Sequence, residues 1–505
     1  MTTRTKLSPI PLSILCLGLT TLTANATESI VEDGKTRLLP DVANIVFNIE
    51  TPSPQYLKQN VYSGLLAIDA PEGMDPLDIG TQVITNNFSQ LKQAISTHTN
   101  IDDKKYDNPE KHYGDKKRLV GNFKINDTNY QYTCAKLNAT DCIGTTLANK
   151  ENIQALMTQG NNAKLMQRYM EIRALPHDTA YMLTAYDYVP MYGYQVQLSN
   201  IRLAQTLFAF NEGNANTAFN LLGEEMAAAK RILREDENLI GHMVAINMLY
   251  TGYHTISELI DNPAMQPYLQ DPRLLTLLTP LNEQEQKALA KPFENERNFG
   301  LRELYMFNGD TTSNENELIK LINKTIFAAN YDRYATVNIA YKSWQPTIER
   351  ASTPMNEVAK LYAQGKLEDL AEADKKAIKT QATLEEEARK ANPNIPPNVI
   401  GYNLIDSASF NTENYLQRLY DLQGYILLVN AKHQIVSKGL KSDEIDVYLK
   451  QAGATAQNPI TREPFTWDAH TGTLSTPWLA QTLPAGGKNK DESMPRNAVY
   501  IKRQN

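Results

Sequence analysis

Three apolar runs follow one another almost without pause, Gln195 to Phe210, Ala215 to Leu233 and Glu237 to Ile260, and they leave few folds open to the chain. In the first, Val196, Leu203, Leu207 and Phe210 recur at the three-to-four spacing that lines one face of an α-helix. Asn211-Glu212-Gly213-Asn214 breaks the pattern before it resumes at Ala215, which predicts two helices joined by a tight turn. The third run predicts a further helix, stopped by Asn262-Pro263. Ile153 to Leu175 carries the same signal at Ile153, Leu156, Met157, Leu165, Tyr169 and Ile172.

The stretch QTLFAFNEGNANTAFNLLGEEM resembles half of a tetratricopeptide unit, with small Ala204 and Ala218 where the helices approach and Gly213 at the turn. A poorer echo occurs from Ala359 to Ala377, but the ~34-residue period of a true array is not sustained. Further helices are predicted at Glu283 to Ala290, Glu315 to Asn330 and Tyr331 to Trp344. A solvated, charged helix pair follows from Ser352 to Lys390, and a last long helix runs from Phe410 to Ala431. Ala391-Asn392-Pro393-Asn394-Ile395-Pro396-Pro397 cannot continue a helix and reads as a stiff connector. Toward the N-terminus, Asn60 to Pro76 reads as a short helix and a turn, Phe88 to Ile95 as helix, and Asn100 to Asp127 as a polar surface excursion.

These readings divide the chain into residues 1–26, 27–150 (irregular, with a cysteine loop), 151–390 (helical), 391–400 (connector) and 401–505 (helix, hairpin and tail). The expected fold is mainly α, an irregular array of helical hairpins with tetratricopeptide-like pairing and a small C-terminal β-hairpin.

Residues 1–26 have the character of an export signal: Arg4 and Lys6, an apolar run from Ile10 to Leu22, then Ala24-Asn25-Ala26, after which cleavage is expected. The run is short of the ~20 residues a membrane-spanning helix needs, so a retained inner-membrane anchor is the alternative and a periplasmic protein the expectation. Cys16 follows Leu15, where lipid attachment wants a small residue. Removing the signal leaves Cys134 and Cys142, an even count in an exported chain, expected to form a disulfide that stabilises a short loop by ~2 to 3 kcal/mol.

The segment NPITREPFTWDAHTGTLSTP, Asn458 to Pro477, breaks the helical pattern. Phe465 to Trp467 and Thr473 to Ser475 are expected to pair around Asp468 to Gly472, with Phe465 and Trp467 on one side covering the end of the helical core. A calcium loop at Asp468 lacks the several spaced carboxylates such a site needs. This closing stretch resembles the C-terminal segment of pseudopilin-like proteins. NVYSGLLAIDAPEGMDP, the cysteine pair, RLAQTLFAF with LIGHMVAINML, NVIGYNLI and NPITREPFTWD together resemble an uncharacterised family of proteobacterial envelope proteins. That resemblance implies a common helical fold and transfers no catalytic residue.

Chemistry is sparsely signalled. Net charge is −7, and the short Lys104-Lys105 and Lys116-Lys117-Arg118 groups are interrupted by acids, which argues against nucleic acid as a partner. His242 and His254 fall on one predicted helix but are rotated by about 120°, so they do not form a metal-binding pair. The chain contains no H-E-x-x-H, G-x-S-x-G, S-x-x-K, Walker loop or C-x-x-C-H, and no catalytic, metal or cofactor residue is assigned. Glu224-Glu225 and the Glu294, Glu296 pair read as solvated charges, with a periplasmic hydrolase or glycan-binding enzyme as the alternative they leave open.

The strongest compositional feature is AYMLTAYDYVPMYGYQVQ, with Tyr181, Tyr186, Tyr188, Tyr192 and Tyr194 on a connection that Pro190 and Gly193 keep irregular. Clustered tyrosines either pack between helices with bonded hydroxyls or form a contact surface. The functional expectation is an exported scaffold that binds another envelope protein through its central helices, with Tyr186, Tyr188 and Tyr192 as candidate contacts. Membrane contact is expected only if the N-terminal segment is retained.

Overall fold

The computed structural model describes residues 31–32, 35–99, 101, 106–125, 128–129, 142–308, 325, 327, 329–392, 395, 397–407, 412–480 and 497–501. The chain is mainly helical, with a small antiparallel sheet near its C-terminus. Four helices open it: α1 (Pro40–Phe47), α2 (Pro54–Leu57), α3 (Val61–Leu66) and α4 (Pro76–Thr97). The cysteine-bearing α5 (Cys142–Ala148), α6 (Lys150–Thr158) and α7 (Gly160–Arg173) follow. The three predicted central runs are α8 (Tyr192–Asn211), α9 (Ala215–Glu235) and α10 (Leu239–Ile260).

The turn between α8 and α9 forms as its residues dictate. Gly213 takes φ +76°, a left-handed conformation that favours glycine, and the Asn214 side chain caps α9 by accepting from Thr217 N at 3.2 Å. Ala204 and Ala218 are both buried at the crossing, where Phe210 and Phe219 meet edge to face at 5.1 Å. Helix α10 is buried on nearly every side because LIGHMVAINMLYTGYHTISELI holds Glu258 as its single formally charged residue. Its Gly252 lets α9 approach, and a Cβ there would overlap the Met226 sulfur.

Downstream lie α11 (Pro272–Leu277), α12 (Glu283–Gln286), α13 (Ala290–Met306), α14 (Arg333–Ser343), α15 (Gln345–Ser352), α16 (Met355–Ala363), α17 (Leu370–Ala391), α18 (Val399–Ser407), α19 (Thr412–Ser437) and α20 (Ser442–Ala452). The largest hydrophobic cluster joins Cys142, α8 to α10, α19, α20 and the C-terminal sheet. A second joins α1, α4, residues 180–183, α13 and α14, and a third lies among α3, α6, α7 and α8.

Several boundaries differ from the sequence expectation. Ile153 to Leu175 is two helices, because Gly160 at φ +55° turns the chain between α6 and α7. Helix α4 starts at Pro76, well before Phe88, since Asp75 caps it through Leu77 N and Pro76 suits a first helical turn. The helix expected over Glu283 to Ala290 is a single turn, α12. The long α13 that follows was hidden by Pro292, which is tolerated in its first turn. Most of Glu315 to Asn330 falls outside the described residues.

The C-terminal hairpin forms in the expected place and gains a third strand. Short two-residue pairs occur earlier, β1 (Val31–Glu32) with β2 (Lys35–Thr36) and β3 (Lys124–Ile125) with β4 (Thr128–Asn129). At the C-terminus β5 (Thr466–Asp468) pairs with β6 (Thr473–Ser475), Trp467 opposite Leu474, and β7 (Ala498–Tyr500) adds on the other side, Val499 opposite Leu474. Phe465 and Trp467 are buried while Thr466 and Asp468 face out, as strand alternation requires. The Trp467 indole donates to Ser442 Oγ at 3.2 Å, tying the sheet to α20. Three residues are too few to carry an alternation signal, so β7 was not visible in the sequence.

Candidate functional site

The tyrosine-rich connection, residues 174–191 between α7 and α8, is irregular yet held at many points. His177 bridges to Asn60, its ring stacks on Tyr56 at 4.5 Å, and Asn60 Nδ2 donates to Thr179 O at 2.9 Å. Tyr181 packs edge-on against Tyr62 and Phe88. Asp187 then closes a small turn: Oδ2 accepts from Leu183 N at 2.6 Å and Thr184 N at 2.8 Å, and Oδ1 from Asn87 Nδ2 at 3.2 Å. Burial pushes the Asp187 carboxyl up to about 6, and these hydrogen bonds act in the opposite direction. Ala185 N donates to Glu303 Oε1 at 2.6 Å, and Tyr186 N to Thr184 Oγ1 at 3.2 Å.

This scaffold separates the candidate tyrosines. Tyr186 projects outward and is 49 % exposed. Tyr188 is half-buried against the second hydrophobic cluster. Tyr192 is an interior residue, with its hydroxyl 3.4 Å from Asn238 Nδ2. Tyr194 accepts from Gly121 N at 3.1 Å and meets Phe123 edge to face. Of the three proposed contacts, only Tyr186 presents an open ring.

Beside the loop, α7, α8 and α9 are joined by an ion network. Glu225 accepts from Tyr169 Oη at 2.9 Å and from Arg202 Nε at 2.6 Å, and it also pairs with Arg173. Glu224 accepts from Arg173 at 2.9 Å and pairs with Arg202. The solvated reading holds for Glu224, half exposed, and fails for Glu225, which is buried because two guanidinium groups and a phenol converge on it. Nothing in the local sequence pairs acids at 224 and 225 with arginines at 173 and 202. A second anchor, Arg168, donates to the carbonyls of Ile68, Ala70, Pro71 and Met74 and fixes the turn of the Asn60 to Pro76 segment.

Other candidates resolve into structural roles. His242 lies between the carbonyls of Asn238, 3.1 Å from Nδ1, and Leu233, 3.2 Å from Nε2, and its neutral ring donates to one of them; His254 Nδ1 meets the Tyr425 hydroxyl at 3.1 Å. Burial pulls both imidazoles down to about 4. Asp468 caps its own turn through His470 N, Thr471 N and Thr471 Oγ1, which holds its carboxyl below the usual range. Ser257 Oγ lies 3.2 Å from Lys432 Nζ, but the lysine is sealed from solvent and ion-paired to Asp261, so this is no accessible nucleophile. Among the described residues no group of three His, Cys, Asp or Glu is placed to hold a metal ion. No described helix is long and apolar enough to cross a membrane.

Cys142 opens α5, is fully buried and is disulfide-bonded; Cys134 and residues 1–26 lie outside the described residues. A shallow crevice lies between α5, α8 and α10, lined by Thr146, Asn200, Leu203, Leu207, Thr251 and Thr255 among others. The Thr251 and Thr255 hydroxyls are bonded back to their own helix, and the lining includes no acid or base.

On α13, Glu294 is exposed, whereas Glu296 is half-buried and lies in the field of Glu303. Burial first and the Glu303 charge second push the Glu296 carboxyl up to about 7. The solvated reading therefore holds for Glu294 and fails for Glu296. The charge that acts on Glu296 comes from Glu303, two helical turns along α13, a helix whose sequence pattern Pro292 interrupts.

Comparison of the chain with protein-family models, with curated proteins and with solved structures returned no match.

Proposed function

We propose that the protein is an exported helical scaffold that binds another protein of the cell envelope through the tyrosine loop and the exposed sides of its central helices, with α10 as their buried support. The observation that carries this reading is the posture of Tyr186, half exposed on a loop whose neighbours Leu183, Thr184, Ala185 and Asp187 are all hydrogen-bonded in place. An aromatic side chain on a fixed backbone loses little freedom when a partner covers it, and tyrosine is among the residue types that dominate interface energetics. Val189, 38 % exposed on the same loop, extends the apolar surface.

The signal-like residues 1–26 and the even count of cysteines that follows them, Cys134 and Cys142, support a periplasmic setting, with an inner-membrane anchor if the segment is retained. No cofactor enters this reading. The alternative, a hydrolase or glycan-binding enzyme, would rest on Glu296 and Glu303. These lie seven residues apart on one helix, whereas a catalytic carboxylate pair is expected across a cleft that holds a substrate between them.

The test is affinity purification from an envelope fraction with the wild-type chain and Tyr186→Ala side by side. A partner enriched with the first and reduced with the second supports the reading, and equal recovery of every companion overturns it. N-terminal sequencing of the same material should begin at Thr27; an intact Met1 would show an anchor instead.

A further inference from the structure

Helix α13 carries a stripe that the described residues cover only in part. Glu296, Phe299, Gly300 and Glu303 stand at positions i, i+3, i+4 and i+7, so they share one stripe, and all four are half-buried. A Cβ placed on Gly300 would meet no described atom within 4 Å, so the middle of the stripe has room for a close neighbour. Phe299 belongs to none of the hydrophobic clusters among the described residues. The tyrosine loop borders the stripe: Asn295 Nδ2 donates to Met182 O at 3.2 Å, and Ala185 N to Glu303 at 2.6 Å.

The charges on this face are unbalanced. Neither Glu296 nor Glu303 forms an ion pair with a described residue, and the nearby Arg297 and Arg302 turn elsewhere, to Asn298 and the Tyr341 ring and to Ile45 O. Both carboxyls are raised by burial, Glu296 also by its neighbour, and an incoming ammonium or guanidinium would supply the counter-charge that both lack and offset the repulsion between them.

We infer that this face of α13 docks a basic amphipathic helix, its two cationic side chains on Glu296 and Glu303 and its apolar side chains over Gly300 and Phe299. The two glutamates are ~10 Å apart along the axis, the rise of seven residues, so an antiparallel partner helix with Lys or Arg at i and i+7 and apolar residues at i+3 and i+4 matches them. Glycine at the centre lets the two backbones approach, and Tyr186 stands at the rim. The inference rests on the reading of the protein as an envelope-protein binder and names the chemistry of the surface that such a partner presents.

The probe is a fluorescein-labelled helical peptide with lysines seven positions apart and leucine and alanine between them, titrated into the full chain and followed by anisotropy. Wild type should bind, binding should weaken with added salt, and the double variant Glu296→Gln/Glu303→Gln should lose at least ~tenfold in affinity, the scale of a disrupted charge pair. Phe299→Ala should weaken binding without altering the salt dependence. Glu171→Gln, an exposed acid on α7, is the control for general attraction and should bind as wild type does. Failure of the peptide to bind, equal binding of a peptide with glutamates in place of the lysines, or an unchanged affinity in the double variant overturns the inference. If any of these occurs while Tyr186-dependent capture of an envelope partner persists, the docked helix is wrong and the binding function stands; loss of that capture as well removes both.

Discussion

Lys432 Nζ lies 2.7 Å from Asp261 Oδ2 in the interior where α10 ends against α19, the lysine side chain 0 % and the aspartate side chain 4 % exposed. The ammonium also meets Ser257 Oγ at 3.2 Å. A buried pair of this kind contributes little net stability relative to a well-packed apolar pair, but removing one partner strands a charge. Asp261→Leu should therefore cost ~3 to 5 kcal/mol, and Lys432→Met a comparable amount. The double variant Lys432→Met/Asp261→Leu should recover most of the loss. Thermal melts of the four proteins measure this coupling; additive losses would show that the two side chains act independently.

Glu385 on α17 is buried, with Gln381 Nε2 donating to its Oε1 at 3.1 Å. Burial, with a smaller contribution from the Asp332 charge, raises its carboxyl to about 7. Because the folded state holds this proton more tightly than the unfolded chain, stability is greatest below about 4.5 and falls as pH rises through 7. Glu385→Gln keeps the shape and the hydrogen bond and removes the ionisation. It should raise stability by ~2 to 3 kcal/mol at pH 8 and have little effect at pH 4.5. Melting temperatures at the two pH values decide it, and an equal effect at both would point to packing and not to charge.

What the sequence revealed and what it concealed follow one physical division. Spacing and turn chemistry are local, so α8, α9 and α10, Gly213 at the turn, and the C-terminal hairpin, though not its register, could all be read from neighbouring residues. The features that set the candidate site are not local. Asp187 reaches Asn87 across 100 positions, Glu225 collects Arg173 and Arg202, and Tyr192 is buried because α10 starts beside it at Asn238. A tyrosine-rich string reads the same whether its members face in or out. Only the packing around it separated Tyr186 from Tyr192.

Gly80 marks the closest approach of α3 and α4. A Cβ there would overlap the Ser63 carbonyl oxygen, a backbone atom that cannot rotate aside. Alanine is the better helix former by ~1 kcal/mol, so on propensity alone Gly80→Ala in the interior of α4 would stabilise. The overlap should win and give a net loss of ~1 to 3 kcal/mol, as overpacking does. Gly300→Ala, in α13 where a Cβ meets nothing, is the internal control and should be neutral or mildly stabilising. Opposite shifts of the two melting temperatures are expected, and a stabilised Gly80→Ala protein would refute the close crossing.

Tyr186 and Tyr192 divide the tyrosine loop into a surface and a core, and truncating each to alanine separates the two roles. Tyr192, 7 % exposed and packed at the start of α8 against the turn before α10, should lose ~3 to 5 kcal/mol of stability, the range of a truncated core aromatic. Tyr186, 49 % exposed, should change stability by less than ~0.5 kcal/mol. If it anchors a partner, its loss should weaken the complex by ~1 to 3 kcal/mol. Tyr188→Ala should fall between the two in stability, since its ring lies half-buried against the second hydrophobic cluster. Circular-dichroism melts run beside quantitative co-purification read both effects from the same preparations. A Tyr186→Ala protein with an unchanged melt and unchanged partner recovery would sink the role of Tyr186 as an anchor. A Tyr192→Ala protein with a normal melt would show that the ring is not part of the core.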